Sequence, residues 1–127
     1  MRSSLPFVDP NFHIQGVLRL EDEELVLEWR RVHPIFFHPL LMGLPSKKYP
    51  PQQVHIPLSQ LEEVEYRNPF YLFHATLRIR VRDLQTLAPV PGSDGAEVTL
   101  YCKKRYRHIA QEIANSVTFQ RLEQVFP

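Results

Sequence analysis

The sequence predicts an α+β domain, an antiparallel β-barrel or sandwich of about six to seven strands capped by one C-terminal α-helix. Three observations predict it. Apolar and polar residues alternate with period two in short segments between residues 12 and 102, the mark of half-buried strands. The twelve prolines gather near the start, in residues 33–57 and around Pro89 and Pro91, where loops and strand edges tolerate a missing N–H. From about Lys104 the apolar period becomes three and four, which belongs to an amphipathic helix.

The elements follow in chain order. Segment 12–20 places Ile14, Gly16, Leu18 and Leu20 on one face and His13, Gln15, Val17 and Arg19 on the other. Glu21-Asp22-Glu23-Glu24 reads as a tight acidic turn, and 25–32 returns with Leu25, Leu27 and Trp29 facing one way, so the pair forms a β-hairpin. A long apolar, proline-rich loop covers 33–53. Residues 54–58 form a short strand, Ser59-Gln60 a bend, and 61–67 a further strand with Val64 and Tyr66 inward. Segment 76–83 alternates most cleanly, with Leu77, Ile79 and Val81 inward and Arg78, Arg80 and Arg82 outward. That arginine row is expected to face Glu63 and Glu65 on the preceding strand, a structural charge ladder. After a loop at 89–95, residues 97–102 make the last strand, with Val98, Leu100 and Cys102 inward. The helix spans about 104–124 and buries Tyr106, Ile109, Ala110, Ile113, Val117 and Leu122, with fraying expected beyond Asn115 because Asn, Ser, Val and Thr form helix poorly.

A chain of 127 residues is one domain, 1–127, large enough for a core without metal or disulfide. Its 43% hydrophobic and 23% charged residues exclude wholesale disorder. A formal net charge of +1 gives no electrostatic case for nucleic acid as a partner. One cysteine forms no internal disulfide, no apolar leader opens the chain, and no run approaches the roughly 20 apolar residues of a membrane span. A cytoplasmic domain is the expectation.

Three stretches resemble a known family. Gly16-Val17-Leu18-Arg19-Leu20 before an acidic turn, then Leu25-Val26-Leu27-Glu28-Trp29, is similar to the opening hairpin of pleckstrin-homology-like domains of the GRAM and bacterial pleckstrin-homology kind. Ile56-Pro57-Leu58-Ser59-Gln60-Leu61-Glu62-Glu63-Val64 resembles their third and fourth strands, and Leu100-Tyr101-Cys102 running into the helix resembles their ending. The resemblance covers most of 12–124 and implies a barrel with a helical cap that binds phosphoinositides, peptides or proteins. One departure is clear: lipid-binding members place lysines and arginines around the first hairpin loop to pair with phosphate. Here Glu21, Asp22, Glu23 and Glu24 stand there, which argues against the usual phosphoinositide site.

The candidate contact residues lie elsewhere. Phe36, Phe37, Leu40 and Leu41, followed by Lys47 and Lys48, either insert into a partner groove or membrane interface or cap the open end of the barrel. Lys103, Lys104, Arg105 and Arg107 form a second, basic patch interleaved with Tyr101 and Tyr106, where a solvated face is the plain alternative. These cations oppose the helix dipole at its start. No phosphate loop or nucleophile elbow is present, and Cys102 on an apolar strand face reads as an inert hydrophobe rather than a nucleophile paired with His108. Six scattered histidines lack metal-site spacing, with His33 and His38 the one pair flanking the apolar loop. The expectation is therefore a non-enzymatic domain without cofactor or metal, binding a protein partner or a second copy of itself, with a membrane surface as the alternative.

Overall fold

In the computed structural model, which describes residues 3–9, 13–32, 51–70 and 73–125, seven strands line up in one antiparallel sheet followed by one long helix. The strands are β1 (Ser3–Asp9), β2 (Ile14–Leu20), β3 (Glu24–Arg31), β4 (Gln52–Pro57), β5 (Leu61–Arg67), β6 (His74–Val81) and β7 (Glu97–Lys103). The helix is α1 (Arg107–Val125), and short 3-10 turns at Leu58–Gln60 and Lys104–Tyr106 lead into β5 and α1. Their order across the sheet is β4-β3-β2-β1-β7-β6-β5. Two chain-ordered runs, β1 to β4 and β5 to β7, are thus joined at β1 and β7, which are in register at Val8 opposite Tyr101.

Alternation decides which face of each strand meets the core. Leu18, Leu25, Leu27, Trp29, Leu77, Ile79, Val98, Leu100 and Cys102 are all buried in one cluster, as the period-two pattern predicts. The strand at the very start departs from expectation, because sheet structure was expected only from about residue 12. Leu5 and Phe7 point into the core from β1 while Ser4 and Pro6 stay exposed, so the two-residue period holds across the proline. Pro6 contributes no N–H to either neighbour, and it lies beside the narrow β1–β7 joint.

Smaller corrections have local causes. The strand expected at 54–58 begins at Gln52, so the end of the 33–53 loop belongs to β4, paired to β3 at Gln52 opposite Trp29. Leu58 leaves that strand to start a 3-10 turn and is buried there. The ladder between β5 and β6 slips at Leu61/Glu63, a bulge just after that turn. The segment between β6 and β7 is not merely a surface loop: Leu87 and Val90 are core residues, and Asp94 Oδ1 accepts the N–H groups of Ala96 and Glu97. These bonds favour the ionised carboxylate and hold Asp94 below its ordinary pKa. Gly95 adopts φ 97 beside the Leu84 carbonyl, a conformation and a space that exclude a side chain.

The helix buries Ala110, Ile113, Ala114 and Val117 and packs over β5 and β1. It does not fray after Asn115, because Val117 is anchored in the core, and this outweighs the weakly destabilising back-bond from the Thr118 hydroxyl to the Ala114 carbonyl at 3.0 Å. The outward charge ladder forms as alternation predicts: Arg78 Nη2 meets Glu65 Oε2 and Arg80 Nη2 meets Glu63 Oε2, each at 2.5 Å. Arg82 lies beyond β6 and takes no part in it. Arg67 also bonds Glu65, and that hydrogen bond, followed by the charges of Arg67 and Arg78, holds the carboxyl below its ordinary value of 4.5. Folding therefore favours ionised Glu65, and its contribution is complete above pH 4.5 and lost as pH falls through the lower folded value. Glu65→Gln is expected to flatten the fall of stability between about pH 6 and pH 3, followed as urea midpoints. Parallel profiles for the two proteins would show that the ladder contributes nothing to acid sensitivity.

Candidate functional site

The narrow joint between β1 and β7 leaves a groove of about 600 Å³ on the sheet face turned away from the core. Its floor is largely apolar, formed by Pro6 and Val8 of β1, Val17 of β2, and Tyr101 and Tyr106. Pro6, Val8, Val17 and Tyr101 face outward by the same alternation that sends Leu5, Phe7 and Leu18 inward, whereas Tyr106 comes from the turn after β7 and also packs against the core. Four cations rim it: Arg19 of β2, Arg30 of β3, Lys103 at the end of β7, and Arg105 in the turn that follows.

The rim is electrically unbalanced. The carboxylate of Glu28 in the lining is already engaged, lying 3.4 Å from Arg19 Nη1 and accepting a hydrogen bond from Gln53 Nε2. Arg19 also reaches Glu21 at 3.8 Å. Arg30, Lys103 and Arg105 form no ion pair among the described residues, and the Arg105 guanidinium instead sits 4.9 Å above the Tyr106 ring.

The four cations of the basic patch read from the sequence are thus divided in role. Lys103 and Arg105 reach the groove rim, Lys104 Nζ donates to the Pro69 carbonyl at 2.8 Å, and Arg107 opens α1 with one guanidinium N–H on the Lys104 carbonyl. The Lys104 bond ties the β7–α1 turn to the tip of the β5–β6 hairpin. There Phe70 and Phe73 are each 94% exposed, the barest large apolar side chains among the described residues. Sequence reasoning missed this tip, although Asn68-Pro69 marks a turn and four apolar residues follow it directly.

The remaining candidates sort differently. Phe36, Phe37, Leu40, Leu41, Lys47 and Lys48 lie outside the described residues, as do His33 and His38. Two carboxylates of the acidic turn are tied down, Glu24 with His55 Nδ1 2.8 Å away and Glu21 with Arg19, while Asp22 and Glu23 stay exposed. Cys102 is buried and burial raises its thiol pKa, whereas His108 is exposed on the first turn of α1. Among the described residues no three His, Cys, Asp or Glu side chains gather as a metal site, and no helix is long and apolar enough to cross a membrane. No protein-family model matches the chain, and no curated protein matches it.

Proposed function

We propose that this chain is a non-catalytic pleckstrin-homology-like module that binds a protein partner through the groove, its sheet curling toward a barrel capped by α1. A run of four strands continued by a run of three, with the helix after the last, supports the class assignment. The lone, buried Cys102 supports work in the cytoplasm, where thiols stay reduced. The observation that carries the binding role is the groove itself, an apolar floor under Arg30, Lys103 and Arg105, which form no ion pair among the described residues. Arginine and aromatic side chains around a desolvated floor are the composition of interaction hot spots. The complementary partner is an extended acidic segment that inserts an apolar or aromatic side chain between Val17 and Tyr101 and lays its carboxylates on the rim.

Selection of binders from a random peptide library, followed by anisotropy titration, tests this. The enriched sequences are expected to combine carboxylates with an aromatic or aliphatic residue, and to weaken as salt rises. Arg30→Glu and Val17→Asp, both at outward positions, are expected to reduce their affinity by about tenfold or more with little change in stability. Sedimentation over a range of protein concentrations separates a foreign peptide from a second copy offering its exposed Asp22 and Glu23. Binders indifferent to both substitutions would remove the groove from the function.

A further inference from the structure

We infer that the first half of β1 is a docking edge held open by Pro6, and that the groove takes its partner segment by strand addition along that edge. The inference rests on the groove reading and adds what is recognised in the partner, its backbone. β1 pairs with β2 at all seven of its residues and β7 with β6 at all seven of its own, yet β1 and β7 meet only at Val8 and Tyr101. Continued, that antiparallel register would set Pro6 against Lys103 and Ser4 against Arg105. Neither pairing forms. Arg105 already belongs to the 3-10 turn that leads the chain away into α1, so the start of β1 overhangs the end of β7.

Proline explains why the ladder stops there. Pro6 lies opposite Val17 inside the β1–β2 ladder, which accommodates a proline only with its nitrogen turned to the other side, toward β7. It offers no N–H to the Lys103 carbonyl, so half of the next hydrogen-bonded pair is missing. Backbone direction alternates along a strand, so the Ser4 N–H and the carbonyls of Ser4 and Pro6 all point into the same gap. Ser4 and Pro6 are exposed, line the groove, and make no backbone hydrogen bond outside the β-ladders among the described residues. One donor and two acceptors at two-residue spacing are what an incoming antiparallel strand satisfies.

The same alternation fixes the partner's pattern. Residues of an added strand that bond Ser4 and Pro6 turn their side chains to the groove face, toward the apolar floor and the cations Arg30, Lys103 and Arg105. Its apolar anchor and its carboxylates therefore stand two residues apart, and the N–H groups of those same residues make the backbone contact. A helical acidic segment has neither this spacing nor free N–H groups in its interior.

Anisotropy titration of a labelled Ala-Glu-Ala-Phe-Ala-Glu-Ala peptide against the intact protein is the test. N-methylation at the glutamate and phenylalanine nitrogens is expected to lower affinity by about tenfold or more, and at the intervening alanines by less than about twofold. Pro6→Val is expected to lengthen the β1–β7 ladder, slowing amide exchange at Lys103, and to weaken the peptide by about tenfold as the edge closes. Absence of binding by this peptide would overturn the inference, as would equal sensitivity to N-methylation at every position or none at all. Unchanged exchange and affinity in Pro6→Val would overturn the part assigned to the proline. The groove reading fails separately, through library binders indifferent to Arg30→Glu and Val17→Asp; binders that respond to those changes but not to backbone methylation would keep the groove and remove strand addition.

Discussion

Trp29→Ala is expected to destabilise the domain by about 3–5 kcal/mol, the range for removing a buried aromatic from a packed core. Trp29 is 2% exposed on β3, a strand flanked on both sides, by β2 and β4. Its side chain joins Phe7, Leu27 and the rest of the core cluster, so truncation opens a cavity that neighbours on paired strands are poorly placed to fill. With total stability of small domains near 5–15 kcal/mol, a large share of the folding free energy would go. It is the chain's single tryptophan, so urea unfolding must be followed by circular dichroism rather than its fluorescence. A loss under about 1 kcal/mol would mean that Trp29 does not occupy the core.

Gly16→Ala is the second large effect, and here two influences oppose each other. Alanine in a strand interior normally gains about 0.5–1 kcal/mol over glycine, through the smaller entropy lost on folding. At Gly16, though, an added Cβ would collide with the Glu28 carbonyl oxygen and lie 2.8 Å from Phe7 Cζ and 2.9 Å from Trp29 Cα. The Phe7 ring can turn away, but the Glu28 carbonyl and the Trp29 Cα are backbone of β3, already paired to β2 along its length. Relief requires β2 and β3 to part, so overpacking dominates, at about 1–3 kcal/mol or more net. The central line Phe7, Gly16, Trp29 across β1, β2 and β3 thus depends on its smallest member. Equal or greater stability of the alanine variant, measured by urea midpoint, would show that the close approach is relaxed at little cost.

Much of this architecture was legible because strand and helix periods are local. The inward sets of β2, β3, β6 and β7, the helix face from Ala110 to Val117, and the Glu63–Arg80 and Glu65–Arg78 pairs all follow from spacing and burial preference. β1 was obscured because Pro6 interrupts a run whose neighbours Leu5 and Phe7 still alternate. The groove was beyond local reading, since Pro6, Val17, Arg30 and Lys103 meet only through the β1–β7 joint, a contact between opposite ends of the strand sequence. Phe70 and Phe73 went unread for another reason: an exposed apolar side chain has no period to betray it. The basic cluster was visible, but its division between groove and hairpin tip depends on the turn at Lys104–Tyr106.

The strand order also leaves β4 and β5 outermost, and an outermost strand is where separate molecules zip together into aggregates. Each is a poor template. β4 is six residues long, carries exposed Gln52, Gln53 and His55, and ends in Pro57, which has no N–H to offer an incoming chain. β5 is kinked at Leu61/Glu63, carries glutamates at 62, 63 and 65, and has α1 packed over it. A second copy meeting either margin would find a short ladder or a broken one. The bulge and the proline thus act as safeguards against fibril growth, apart from their part in shaping the fold.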